Sequence, residues 1–299
     1  MLAGLLLVSI AAVSWGTTGA TMALLARGAS ADPLLVGVMR LAVASPVLVV
    51  IARILEGPLR VVSPGAAVLA GLCMSAYQVC YFLAVPRSGV ALTALVAICS
   101  APLMIAVMAA AGLGERLTAR IAVSLVAGVA GTALLVLGPR AIGELTPRLL
   151  GGVALALGAG FSYALYAVVT KRGLAGAPPG REGGPLGLAA VTFTIAAAAL
   201  VPSVGLAEGA LGDQLRRGWP LFLYLGVVPT ALAYALYTSG LSRVPATAAG
   251  IATLLEPLTA TALGVVAFGE SLGARGAIGA ALLLGALLLV MAPTRGDAR

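Results

Sequence analysis

Glu256 lies in IATLLEPLTATALGVVAFGESLGAR (residues 251–275), a run whose other residues near it are apolar or hydroxylic. If that run crosses a membrane, a carboxylate at its centre costs roughly 3 kcal/mol, so it should face a cavity or a partner rather than lipid. There it could hold a substrate ammonium group or carry a proton. It could also be a packing carboxylate, hydrogen-bonded at the break made by Pro257. Arg40, in GVMRLAVAS, is the one basic residue well inside an apolar run. It could bind a substrate carboxylate, pair with Glu256, or snorkel to an interface along its long stem.

Aromatic residues of membrane proteins gather at the two interfaces, but here they occur mid-run. Trp15 is in the middle of the first run, and Tyr77 and Tyr81 are one turn apart in the third, with Gln78 beside them. Tyr163 and Tyr166 share a helix face in the sixth run, and Tyr234 and Tyr237 share one in the eighth, because residues three and four apart project to the same side. Buried phenols need hydrogen-bond partners, which a wet central cavity supplies. These residues, with Ser100 in the fourth run, are the candidate substrate-binding set. Such a lining suits an apolar or aromatic substrate with a polar head, although each tyrosine singly could be a packing residue. Trp219 and Tyr224, near a run end, read as interface anchors. Pro46, Pro102, Pro229 and Pro257 interrupt apolar runs and free backbone carbonyls; they are candidate hinges or gates, or simple kinks.

Several chemistries lack their residues. The chain has no histidine and no CxxC, so neither a zinc site nor a histidine proton relay is available. Cys73, Cys80 and Cys99 fall inside apolar runs and read as small packing residues. No GxxxxGK(S/T) element is present, which excludes direct ATP drive. An intramembrane lipid-modifying enzyme would need clustered carboxylates or an activated nucleophile, and no run contains DxxxD. The reading is therefore not an enzyme, and no cofactor or metal is expected.

The elements that must position these residues follow from hydropathy. Of 299 residues, 61% are apolar and 9% charged, against about 25% charged in soluble domains. The apolar residues come in runs of about 20, long enough to cross roughly 30 Å of hydrocarbon. This is an all-α integral membrane protein, with spans near 2–26, 33–52, 64–85, 89–112, 120–138, 149–171, 185–206, 219–241, 246–268 and 276–293. The first run carries no charge and reads as a span rather than a signal peptide. The net charge of +8 is spread singly between runs, unlike a nucleic-acid surface. One lysine against seventeen arginines, with no asparagine, fits a GC-rich bacterial genome and a bacterial inner membrane. With the N-terminus inside, ten Lys and Arg fall on inner connections and seven on outer ones, which favours cytoplasmic termini.

The run around Glu256 has an earlier counterpart, VAICSAPLMIAVMAAAGLGERLTAR (residues 96–120), and at an offset of 155 the two share eight identities in 25. These include Pro102 with Pro257 and Gly114-Glu115 with Gly269-Glu270. The same offset pairs Gly71 with Gly226, and Pro33 and Pro185 open corresponding spans. Glu256 itself matches Ala101, so whatever the carboxylate does is not duplicated. Each half, 1–140 and 141–299, then holds five spans. Five is odd, so the second half enters the membrane inverted, a recurrent plan of secondary transporters. Spans five and ten are almost wholly apolar, and small residues at Ala127, Gly131, Ala281 and Gly285 suit close helix contact. They are placed at the periphery, in scaffold or homodimer contacts.

With SWGTTGA (14–20), ATLLEPLTATALGVVAFGESL (252–272) and the GE(R/S)L turn of each half, the whole chain resembles the drug/metabolite transporter superfamily, EamA branch. Its length and tyrosine-rich spans look most like bacterial amino acid exporters of the YddG type. The resemblance implies export of amino acids or similar small metabolites by alternating access through a central cavity, proton-coupled or facilitated. A multidrug or other metabolite exporter of the same fold is the alternative.

Overall fold

The computed structural model describes residues 1–61, 63–136, 146–175, 183–268 and 273–292. Every regular element among them is helical, as a backbone in hydrocarbon requires when no sheet closes on itself. Among the described residues, ten helices are long and apolar enough to cross a membrane. They are α1 (Leu2–Ala29), α2 (Pro33–Glu56), α3 (Pro64–Ser88), α4 (Leu92–Leu113), α5 (Ala119–Val136), α6 (Pro147–Ala175), α7 (Pro185–Leu206), α8 (Leu211–Leu241), α9 (Ala246–Val266) and α10 (Gly273–Met291).

Local sequence sets the helix ends. Prolines open α2, α3, α6 and α7, where the missing N–H is no loss and φ is already helical. Asp32 caps α2 through Leu34 N–H at 2.8 Å. Gly114, at φ +68°, ends α4 in the left-handed conformation and lets the Glu115 N–H close on the Ala109 carbonyl. The expected start of α8 is corrected: the helix begins at Leu211 rather than near 219. The charges of Asp213, Arg216 and Arg217 bar that turn from hydrocarbon but not from helix.

The packing is reciprocal between the halves. α3 packs on α6 and α1 on α8; α2 pairs with α7, and α5 with α10. Gly71 lies so close to α7 that a Cβ there would meet the Thr192 carbonyl and Ile195 Cγ2, both at 2.8 Å. Its repeat mate Gly226 lies against α2 in the same way, where a Cβ would stand 2.4 Å from Val43 and 3.3 Å from the Arg40 carbonyl. Counted from Pro33 and Pro185, Val43 and Arg40 are the counterparts of Ile195 and Thr192. One contact is thus made twice, about a pseudo-two-fold axis. The division of the halves at 140/141 lies outside the described residues.

Helices α5 and α10 meet through Gly131 and Gly279, each of which would drive a Cβ onto the other's carbonyl. The close approach of α5 is therefore used inside the chain. Ala281 and Gly285 of α10 face outward, and that is where the expected contact with a second copy would have to form. Large apolar side chains such as Val126, Val266 and Leu288 cover the outside, a surface matched to lipid rather than water.

Candidate functional site

Two helix breaks meet at the centre of the molecule. α1 is interrupted after Trp15 and resumes at Thr18. α9 is interrupted at Thr253 and Leu254 and resumes at Leu255, because Pro257 cannot donate to the Thr253 carbonyl. The Glu256 N–H takes that carbonyl instead, at 3.0 Å. Gly16 is required where the breaks touch, since a Cβ would stand 2.5 Å from Thr259 and 2.8 Å from the Glu256 carbonyl. Glu256 thereby enters the first turn of a half-helix, whose positive dipole end favours a carboxylate.

A cavity of about 460 Å³ opens beside these breaks, within the usual range of small-ligand sites. Glu256, Arg40 and Trp15 line it, as do Tyr77, Tyr81, Tyr163 and Tyr234. It reaches Met22 in the second part of α1, Ala94 near the start of α4, and Leu135 and Val136 at the end of α5. All of these lie toward the face opposite the two chain ends. Helix α5, expected away from any pathway, thus contributes its last turn to the cavity.

The opposite charges in the cavity are not in direct contact. Among the described residues no ion pair joins Arg40 to Glu256, and the pair found elsewhere is the exposed Arg216–Asp213. Arg40 is 7% exposed and donates from Nε to Thr230 Oγ1 at 3.0 Å. The rings form one connected wall. Trp15 lies 4.9 Å from Tyr234 and meets Tyr163 edge-on at 6.3 Å, while Tyr77 bridges Tyr81 and Tyr163 at 5.9 Å each.

The remaining candidates stand behind this wall. Tyr166 and Tyr237 are fully buried, stacked on each other one turn further toward the face of the chain ends. Gln78 is buried against its neighbours, and Ser100 bonds back to the Ala97 carbonyl where α4 meets Gly160. Pro46 and Pro102 lie within continuous helices, whereas Pro229 sits in a π-helical turn. Trp219 faces outward. Tyr224 is corrected: it is no interface anchor, since its hydroxyl donates to Thr17 Oγ1 in the α1 break at 2.9 Å. The residue reading missed Thr18, Gly19, Thr253 and Thr261 on the lining; the hydroxyl- and glycine-rich SWGTTGA was the available signal for the first two. Ala101, the repeat mate of Glu256, lines the same cavity, so the two-fold brings two equivalent positions to the site and only one is charged.

Toward the chain ends, hydrogen bonds tie the helix ends to one another. Glu115, just past α4, accepts from the Ala246 and Thr247 N–H groups and from Thr247 Oγ1 (2.7 Å) at the start of α9. Lys171 donates to the Leu241 carbonyl at the end of α8 at 2.9 Å. Glu56, ending α2, accepts from Leu186 and Gly187 N–H at the start of α7. Each carboxylate satisfies helix-start donors that would otherwise lack partners.

Comparison with known proteins agrees with this architecture. The EamA-like transporter family profile matches residues 2–137 and 150–292. The uncharacterized transporter YwfM of Bacillus subtilis (strain 168) is 35% identical over 291 residues, covering 97% of this chain and 94% of that protein. The putative permease-like protein YdzE of the same organism is 39% identical over 69 residues, 23% of this chain and 88% of its own. A crystal structure with 21% identity superposes with a TM-score of 0.81 over 96% of this chain and 97% of that one, a likeness of fold. Ten spanning helices among the described residues, packed reciprocally about a central cavity, with a family match across both sets of five, make this chain a multi-pass membrane protein of the EamA-like transporter family.

Proposed function

We propose that the protein exports amino acids with apolar or aromatic side chains from the cytoplasm, by alternating access through the central cavity. The observation that carries this reading is the presence of Arg40 and Glu256, opposite in charge and not ion-paired, in one cavity walled by Trp15, Tyr77, Tyr163 and Tyr234. A free amino acid offers a carboxylate, an ammonium and a side chain, and these are complementary to the guanidinium, the carboxylate and the aromatic wall. Resemblance to exporters of the YddG type supports the same class. In a bacterial inner membrane with both termini cytoplasmic, the cavity faces outward and the seal at Glu115 and Lys171 closes the cytoplasmic side. The halves 1–140 and 141–299 exchange conformations to reverse this.

The test is counterflow in proteoliposomes: uptake of one labelled amino acid at a time, with the same unlabelled solute trapped inside, with and without an imposed pH gradient. Saturable exchange that the gradient accelerates is expected for proton-coupled export through Glu256. Exchange indifferent to the gradient makes the protein a facilitator, and no exchange of any amino acid overturns the substrate class.

A further inference from the structure

The bond that holds Arg40 begins with a proline. In an α-helix the N–H of residue 229 would close on the Leu225 carbonyl. Pro229 has no N–H, and its ring crowds that carbonyl. The chain passes through a π-helical turn over Val227–Leu232, and the Leu225 oxygen accepts the Thr230 hydroxyl at 2.6 Å. With its proton committed there, Thr230 Oγ1 turns only lone pairs toward Arg40, whose Nε–H it accepts at 3.0 Å. Thr230 is fully buried, and Gly226, one turn earlier, lets α8 approach the backbone at Arg40. Isolated π turns inside α-helices are frequently found at functional sites.

A guanidinium carries five N–H donors in a planar fork. With Nε held by Thr230, the guanidinium is restrained in direction, and its four terminal N–H groups, which have no hydrogen-bond partner among the described residues, belong to a side chain that lines the cavity. That donor set grips a carboxylate end-on with two parallel bonds. We propose that Thr230 is a positioning residue for ligand binding: it orients Arg40 so that the cavity recognises its ligand through a carboxylate. This rests on the transport reading above and gives the polarity of binding within it, carboxylate at Arg40 and ammonium at Glu256. The competing role for Thr230 is internal, a hydroxyl that only satisfies the carbonyl freed by Pro229.

The two roles separate by ligand chemistry. The probes are L-leucine or L-phenylalanine, whichever the wild type exchanges faster, and the amine with the same side chain but no carboxylate. Thr230→Val keeps the shape and removes the hydroxyl, whereas Thr230→Ser keeps the hydroxyl. Thr230→Val is expected to raise the half-saturation concentration for the amino acid about tenfold, leave its maximal rate within about twofold, and leave the amine unchanged. Thr230→Ser is expected to behave as wild type. On an Arg40→Lys background, which has no fork to orient, Thr230→Val is expected to add nothing, the signature of two groups acting as one. Equal losses for amino acid and amine, or a fall in maximal rate alone, overturn the positioning role and assign the hydroxyl to α8. Wild-type protein that exchanges no amino acid at all removes this inference together with the amino-acid reading. Wild-type exchange with an indifferent Thr230→Val removes this inference alone.

Discussion

A single carboxylate without an ion-pair partner beside a cavity is a residue whose charge can be removed at small structural cost. Glu256→Gln keeps shape and hydrogen-bonding capacity at the head of the α9 half-helix. It should leave the yield of folded protein unchanged, abolish the response of exchange to a pH gradient, and weaken ammonium-bearing ligands by about tenfold or more, since charged hydrogen bonds contribute about 1.5–3 kcal/mol. Proton flux and counterflow on the same vesicles measure both, and wild-type behaviour in both would leave Glu256 as a packing carboxylate. Glu256 and Arg40 were legible in the sequence because a charge inside an apolar run has few reasons to be there. Trp15, Tyr77, Tyr81, Tyr163 and Tyr234 were legible because aromatic residues are scarce away from interfaces. Tyr166 and Tyr237 were indistinguishable from them, because helical spacing assigns a face and not a depth along the pathway. Thr230 was out of reach, since its role depends on Pro229 next to it and on Arg40, 190 positions away.

Among the helices, the repeat conceals a difference beside the cavity. Pro102 and Pro257 occupy matching positions, yet α4 is continuous where α9 breaks. A proline is thus not sufficient for a break; the α9 break is also packed against Gly16 and the gap in α1. The GE turns were legible as punctuation of the repeat, but the work of Glu115 was not, because its partners at the start of α9 are about 130 residues away. Glu115 and Lys171 hold the two sides of the turn between α8 and α9, and in the proposed transport cycle that turn closes the face of the chain ends. Removing a capping carboxylate costs about 1 kcal/mol, so Glu115→Ala should shift the balance between sealed and open forms about fivefold toward open. A thiol at the buried Thr238 position, placed by Thr238→Cys after Cys73, Cys80 and Cys99 are replaced, reports on this. Its labelling by an impermeant reagent from the face of the chain ends should rise about fivefold in Glu115→Ala. Unchanged labelling would show that apolar packing alone forms the seal.

Across the whole molecule, two inverted halves make the same contacts twice, so equivalent substitutions should have equivalent costs. The offset of 155 was legible because proline and glycine resist drift where the backbone depends on them, whereas alanine and leucine exchange freely in lipid. The contacts behind it were not legible, because a glycine in a span looks alike whether it faces a helix or lipid. Gly71 and Gly226 face helices, α7 and α2, while Gly28 and Gly285 face open space. Overpacking a tight contact costs about 1–3 kcal/mol, so Gly71→Ala and Gly226→Ala should each lower the thermal midpoint in detergent by about 3 °C or more. Gly28→Ala, in a helix with room for the methyl, should hold the midpoint or raise it. Because α3–α7 and α2–α8 are related by the pseudo-two-fold, the two destabilisations should be similar in size and should add in the double variant, as separated sites do. A large loss at one glycine and none at the other would show that one interface is rigid and the other yields. In that case the halves could not exchange conformations as equals, and alternating access in this chain would have to come from movement of one half alone.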